Sequence, residues 1–79
     1  MNFIQYNPAT FKWENTIWKV LARTDSKYGV YGFIENKKTG EKWDWEDRVY
    51  GPVIHNKSER LPKYITNDVV PKIIRHCKK

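Results

Sequence analysis

Apolar and polar residues alternate through several short stretches of this 79-residue chain. A period of two is the mark of a strand with one face in a core and the other in water. "NFIQY", residues 2 to 6, reads as a short strand of this kind. "NPATF" follows, with Asn7 placed to cap and Pro8 at a first helical position, which predicts a single helical turn. "TIWKVLART", residues 16 to 24, is rich in β-formers and predicts a second strand. "DSKYG" is a turn ending on Gly29, and "VYGFIEN" is the next strand. The polar stretch "KKTG" closes on a glycine, where a left-handed backbone is cheap, so "EKWDW" is expected to fold back on "GFIEN" as a hairpin.

That hairpin fixes a register. With residues 37 to 40 as its loop, Asn36 faces Glu41, Ile34 faces Trp43 and Gly32 faces Trp45. Both tryptophans then share one face with Val30 and Ile34, and Trp45 covers the bare backbone of Gly32. Lys42, Asp44 and Glu46 point the other way, as the wet half of an amphipathic strand. Gly51-Pro52 marks a turn, leaving Val53 and Ile54 as a final short strand or an irregular edge. "ITNDVVPKIIRHCKK" reads as a C-terminal helix capped by Thr66, Asn67 or Asp68, with Pro71 in or just past its first turn. Val69, Val70, Ile73, Ile74 and Cys77 form its apolar stripe, opposite Lys72, Arg75, Lys78 and Lys79. The fold expected is a single α+β domain over residues 1–79: a small antiparallel meander of three to four strands, packed on its tryptophan face by the C-terminal α-helix.

Composition sharpens this picture. Only 39% of the residues are hydrophobic, so the four Trp, five Tyr and three Phe must supply much of the buried area. One cysteine allows no intrachain disulfide. No basic segment leads into an apolar run at the N-terminus, and no stretch approaches the roughly 20 apolar residues that span a bilayer. The expected location is the cytoplasm, away from membranes, with the sequon Asn56-Lys57-Ser58 an accident of sequence.

Charge brings in function. Fifteen Lys and Arg against nine Asp and Glu leave a formal +6. Residues 1–40 carry a net +3, residues 41–54 a net −2 and residues 55–79 a net +5, so the positive charge is segregated. A small basic domain attracts polyanions, nucleic acid above all. The sheet face opposite the tryptophans presents Lys19, Leu21, Arg23, Tyr31, Phe33 and Lys42, cations interleaved with flat rings on which bases can stack. Lys27, Tyr28, Lys37 and Lys38 sit in loops at the ends of the sheet, and Lys57, Arg60 and Lys63 add phosphate contacts from a polar loop.

Catalysis and metal binding have thinner support. Asp44 and Glu46 lie two apart on one strand face, with His55 after the next turn and Arg48 able to neutralise a phosphate; together they sketch a small ribonuclease. His76 and Cys77 are adjacent on a helix, about 100° apart, and cannot chelate one ion comfortably. Nothing reads as a glycine-rich phosphate loop or a nucleophile motif, and no metal or cofactor is expected.

"KYGVYGFIE", Lys27 to Glu35, resembles the aromatic strand of cold-shock and related OB-fold RNA binders, and "VIHNKS", Val53 to Ser58, is faintly similar to the segment that follows it there. The resemblance implies stacking of single-stranded bases on Tyr31 and Phe33; the C-terminal helix departs from the cold-shock pattern. The function expected is non-catalytic binding of RNA or single-stranded nucleic acid. The alternatives are a phage-type inhibitor or antitoxin-like protein that binds a host or defence protein, and the ribonuclease built on Asp44, Glu46 and His55. An exposed first strand or the helix also leaves room for a homodimer.

Overall fold

The computed structural model describes residues 2–27, 29–56 and 58–78. Six strands follow one another: β1 (Asn2–Asn7), β2 (Thr10–Glu14), β3 (Trp18–Ser26), β4 (Gly29–Asn36), β5 (Lys42–Arg48) and β6 (Gly51–Ile54). They form one antiparallel sheet in sequence order, β1-β2-β3-β4-β5-β6. A helical segment closes the chain, a π-helical turn over Ile65–Val69 running into α1 (Val70–Cys77).

The expectation of three to four strands is therefore corrected to six, within an α+β-like arrangement. The difference begins at Pro8. In place of a helical turn, Pro8 and Ala9 make the tight turn of the β1–β2 hairpin, and the Asn7 Oδ1 atom accepts the Ala9 N–H at 2.8 Å. Asn7 does cap, but it caps a turn. Downstream, the buried–exposed alternation of Thr10, Phe11, Lys12, Trp13 and Glu14 prevails over the helix-start signal. Asparagines open two further hairpins in the same way. Asn15 Oδ1 takes the N–H groups of Ile17 and Trp18 at 2.8 and 2.6 Å, and Asn36 Oδ1 takes those of Lys38 and Thr39 at 2.9 and 3.2 Å.

In the hairpin of β4 and β5, Ile34 pairs with Trp43 and Gly32 with Trp45, the register that the alternation requires. Trp43 and Trp45 are buried beside Phe11, Trp13, Trp18, Val20 and Ile34, and Trp18 and Trp43 meet with ring centroids 5.9 Å apart. The helical segment lies over this face and contributes Ile65, Val69, Val70, Ile73 and Ile74 to the same core, joined by Leu61 from the loop before it. The nine buried residues that the strands supply would be too little alone; the helix stripe supplies much of the aliphatic packing.

The helix enters differently from the expected capped start. Thr66 Oγ1 donates to the Lys63 carbonyl at 3.1 Å and Asp68 pairs with Lys72 at 3.1 Å, so neither caps α1. Pro71 has no N–H, and its ring would crowd the carbonyl four residues back. Widening the preceding turn accommodates it, with the Val70 N–H bonding to the Ile65 carbonyl. At its far end the helix is tied to the sheet by Lys78 and Asp47, 2.8 Å apart. Among the described residues no helix is long and apolar enough to cross a membrane.

The OB-fold that the aromatic strand implied is a Greek-key barrel. This sheet is instead an open meander, with one face under the helix and the other uncovered.

Candidate nucleic-acid interface

Strand alternation builds the uncovered face. Residues opposite the buried Phe11, Trp13, Val20, Ala22, Ile34, Trp43 and Trp45 must point away from the helix. Registers then align them in rows across the strands: Ile4, Lys12, Leu21, Phe33 and Asp44 in one, Thr10, Arg23, Tyr31, Glu46 and Val53 in the next. Nothing described covers these rows.

Phe33 and Tyr31 form the aromatic centre. Tyr31 is 40% exposed and Phe33 is half-buried between its neighbours. Two ammonium groups approach the Phe33 ring, Lys42 Nζ at 4.8 Å and Lys19 Nζ at 5.7 Å from its centroid. Each such contact is worth about 0.5–1 kcal/mol at an exposed site. The Tyr31 hydroxyl donates to Asp25 Oδ1 at 3.4 Å.

The electrostatics of this face are balanced. Among the described residues it carries five cations, Lys12, Lys19, Arg23, Lys42 and Arg48, and five carboxylates, Glu14, Asp25, Glu35, Asp44 and Glu46. Most are joined in pairs: Lys12–Glu14 at 2.7 Å, Lys19–Glu35 at 2.9 Å, Arg23–Asp25 at 2.6 Å, and Arg48 Nε donating to Glu46 at 2.6 Å. These bonds set the proton affinities. Lys12, and then Lys37, hold the Glu14 carboxyl down at about 2. Asp25, Glu35 and Glu46 are pulled below the usual carboxylate range chiefly by their bonds to Arg23, Lys19 and Arg48. The chain's net +6 therefore resides mostly off this face, in the turns and the C-terminal segment.

The structure gathers Lys19, Arg23, Tyr31, Phe33 and Lys42 on one surface. Lys37 and Lys38 stand at the β4–β5 turn; Lys37 is ion-paired with Glu14 and also reaches the Asn15 carbonyl at 3.3 Å, while Lys38 is exposed. Lys27 is exposed in the β3–β4 turn. Arg60 pairs with Glu41 at 2.7 Å near the same end as Lys37, and Lys63 belongs to the helical segment on the covered side. Tyr28 and Lys57 lie outside the described residues.

Missing β2 in the sequence also meant missing Lys12. Its Nζ lies 2.7 Å from Glu14 and donates to the Tyr6 hydroxyl at 2.9 Å, so Tyr6, 57% exposed, and Ile4 extend the aromatic-aliphatic surface toward the β1 edge. The signal was present in the alternation of Phe11, Lys12, Trp13 and Glu14.

Asp44, Glu46 and His55 also meet here. The His55 N–H donates to the Asp44 carbonyl at 2.7 Å, and His55 Nε2 lies 3.4 Å from Glu46 Oε1. Arg48 keeps Glu46 ionised, which makes it a weak proton acceptor at neutral pH. Among the described residues no group of three His, Cys, Asp or Glu side chains is arranged to hold a metal ion. No protein-family model matches the chain, and neither a curated protein nor a solved structure shows significant similarity to it.

Proposed function

We propose that this is a cytoplasmic, non-catalytic protein that binds RNA or single-stranded nucleic acid on its uncovered sheet face. The observation that supports it is the placement of Phe33 and Tyr31, two residues apart on β4, uncovered and flanked by Lys19, Lys42 and Arg23. Same-face neighbours on a strand stand about 6.6–7 Å apart, a spacing that suits successive splayed bases. Each stacked base contributes about 1–3 kcal/mol. Lysines leaving the Phe33 ring are in reach of the phosphates between those bases. Cations in the turns add affinity without sequence preference.

Fluorescence anisotropy with a labelled RNA octamer tests the reading. Phe33→Ala and Tyr31→Ala should each weaken binding by about tenfold, following the stacking energy, with the domain still folded because neither ring belongs to the buried core. Unchanged affinity in both variants would remove the face from the account. The RNA recovered from the titration should be full length; cleavage that disappears in His55→Ala would assign the Glu46–His55 contact a catalytic role instead.

One observation favours a protein partner as a second reading. At the β5–β6 turn Val49 is fully exposed and Tyr50 is 81% exposed, beside Arg48. Tyr and Arg are the residues that anchor protein interfaces. Affinity capture that returns a single protein partner, lost in Tyr50→Ala and insensitive to nuclease, would support that reading over the first.

A further inference from the structure

Four of the five carboxylates on the uncovered face are engaged: Glu14 by Lys12, Asp25 by Arg23, Glu35 by Lys19 and Glu46 by Arg48. Asp44 is the exception. Among the described residues its carboxylate makes no ion pair and no hydrogen bond, although the chain carries six more cations than carboxylates. It is exposed, and it stands directly across the strand pair from Phe33. Lys42, the neighbour that would be its natural partner two residues earlier on the same strand face, is placed over the Phe33 ring.

We infer that Asp44 reads the edge of a base stacked on Phe33 and selects guanine. This rests on the single-strand-binding reading above and names the base that it prefers. An ionised carboxylate only accepts hydrogen bonds, through two oxygens side by side. Guanine offers two adjacent donors on its Watson–Crick edge, the N1 imino and N2 amino groups, and satisfies both oxygens at once. Adenine and cytosine place one amino group beside an acceptor nitrogen, which repels the second oxygen. Uracil has a single imino donor between two carbonyls. Stacking on Phe33 accepts every base; Asp44 supplies the discrimination. The ammonium groups of Lys42 and Lys19 leave the ring as the base arrives and meet the phosphate on either side of it. The ligand is a strand and not a free nucleotide because Tyr31, two residues along β4, provides a platform for a second base.

The test compares fluorescein-labelled UUGUGUUU with UUUUUUUU, and with the same octamer carrying inosine for guanine. Wild-type protein should prefer the guanine octamer by about tenfold, the discrimination of one good bidentate pair, with inosine intermediate because it lacks the amino group. Asp44→Ala should bind both octamers alike, with affinity for the uracil octamer unchanged or higher because a negative charge near phosphate is gone. Equal wild-type affinities, or a guanine preference that survives in Asp44→Ala, would overturn the assignment. In those cases the stacking reading stands on its own if Phe33→Ala still loses the uracil octamer. Failure of every octamer to bind ends both. Displacement of the octamer by 5′-GMP at equal concentration would overturn the assignment to a strand and move the ligand to the free nucleotide.

Discussion

Replacing Gly32 with alanine puts a methyl group where the neighbouring strand already stands. A Cβ at this position would lie 1.7 Å from the Leu21 carbonyl oxygen, 2.7 Å from its carbon and 3.0 Å from Ala22 Cα. All three are backbone atoms, so no rotamer change relieves the overlap. A carbon and a carbonyl oxygen rest at about 3.3 Å, so β3 and β4 must part locally by about 1.5 Å. Gly32 pairs with Ala22 on one side and with Trp45 on the other, at the centre of the sheet. Two ladder hydrogen bonds lost at about 1 kcal/mol each, with looser packing of the buried Trp45 costing about 1–2 kcal/mol more, give a loss of about 3–4 kcal/mol. A domain has only about 5–15 kcal/mol in total. Urea unfolding followed by tryptophan fluorescence should show a midpoint lowered by about a fifth or more at similar slope. A loss below about 1 kcal/mol would show that the strands do not approach as described, and would refute the reasoning.

Three other measurements probe separate parts of the structure. Glu14 is held at about 2 when folded against a usual 4.5, so its ion pairs stabilise the fold above pH 4.5 and fade as the pH falls towards 2. The urea midpoint should drop across that window, and less steeply in Glu14→Gln; equal slopes would deny Lys12 and Lys37 that role. Burial pushes the Cys77 thiol up to about 11, so a thiol reagent at pH 8 should label the native protein much more slowly than the urea-unfolded chain. Equal rates would place Cys77 away from the core edge. The log–log salt slope of RNA binding should be shallow, about −1.5 to −2 for two or three phosphates on a single strand, because most cations of the face are already paired. A slope steeper than about −4 would move binding to the turns and the helix, where the chain's excess of positive charge resides.

The central hairpin was legible because two independent signals agree in it. Trp43 and Trp45 alternate with Lys42 and Asp44, and the glycine-ended loop sets which residues oppose them. The helix stripe was equally plain, since Val69, Val70, Ile73 and Ile74 fit one face and all four are buried. β2 was obscured by a local conflict. Asn7-Pro8 is good chemistry for starting a helix and for closing a hairpin, and only the alternation beyond it distinguishes the two. The widened turn ahead of Pro71 was not legible, because a proline in or just past the first turn is ordinarily accommodated by a regular helix start. For the candidate interface, the rings and lysines were legible as a face once the strands were placed. Its charge balance was not, because a total of +6 conceals the pairing of Lys19 with Glu35 across strands and of Arg23 with Asp25 along one. Asp44 illustrates the point most sharply: in the sequence it is one of several carboxylates on a wet strand face, and only the pairing of the others sets it apart.

The most direct test of the account is an NMR titration of the labelled protein with an unstructured RNA octamer, following backbone and aromatic resonances together. Perturbations concentrated on Leu21, Tyr31, Phe33, Lys42 and Asp44, with the exposed side of α1 unmoved, are the expected result. Shifts confined to Lys63, Lys72 and Arg75 on the helical segment, or no shifts at all, would contradict it.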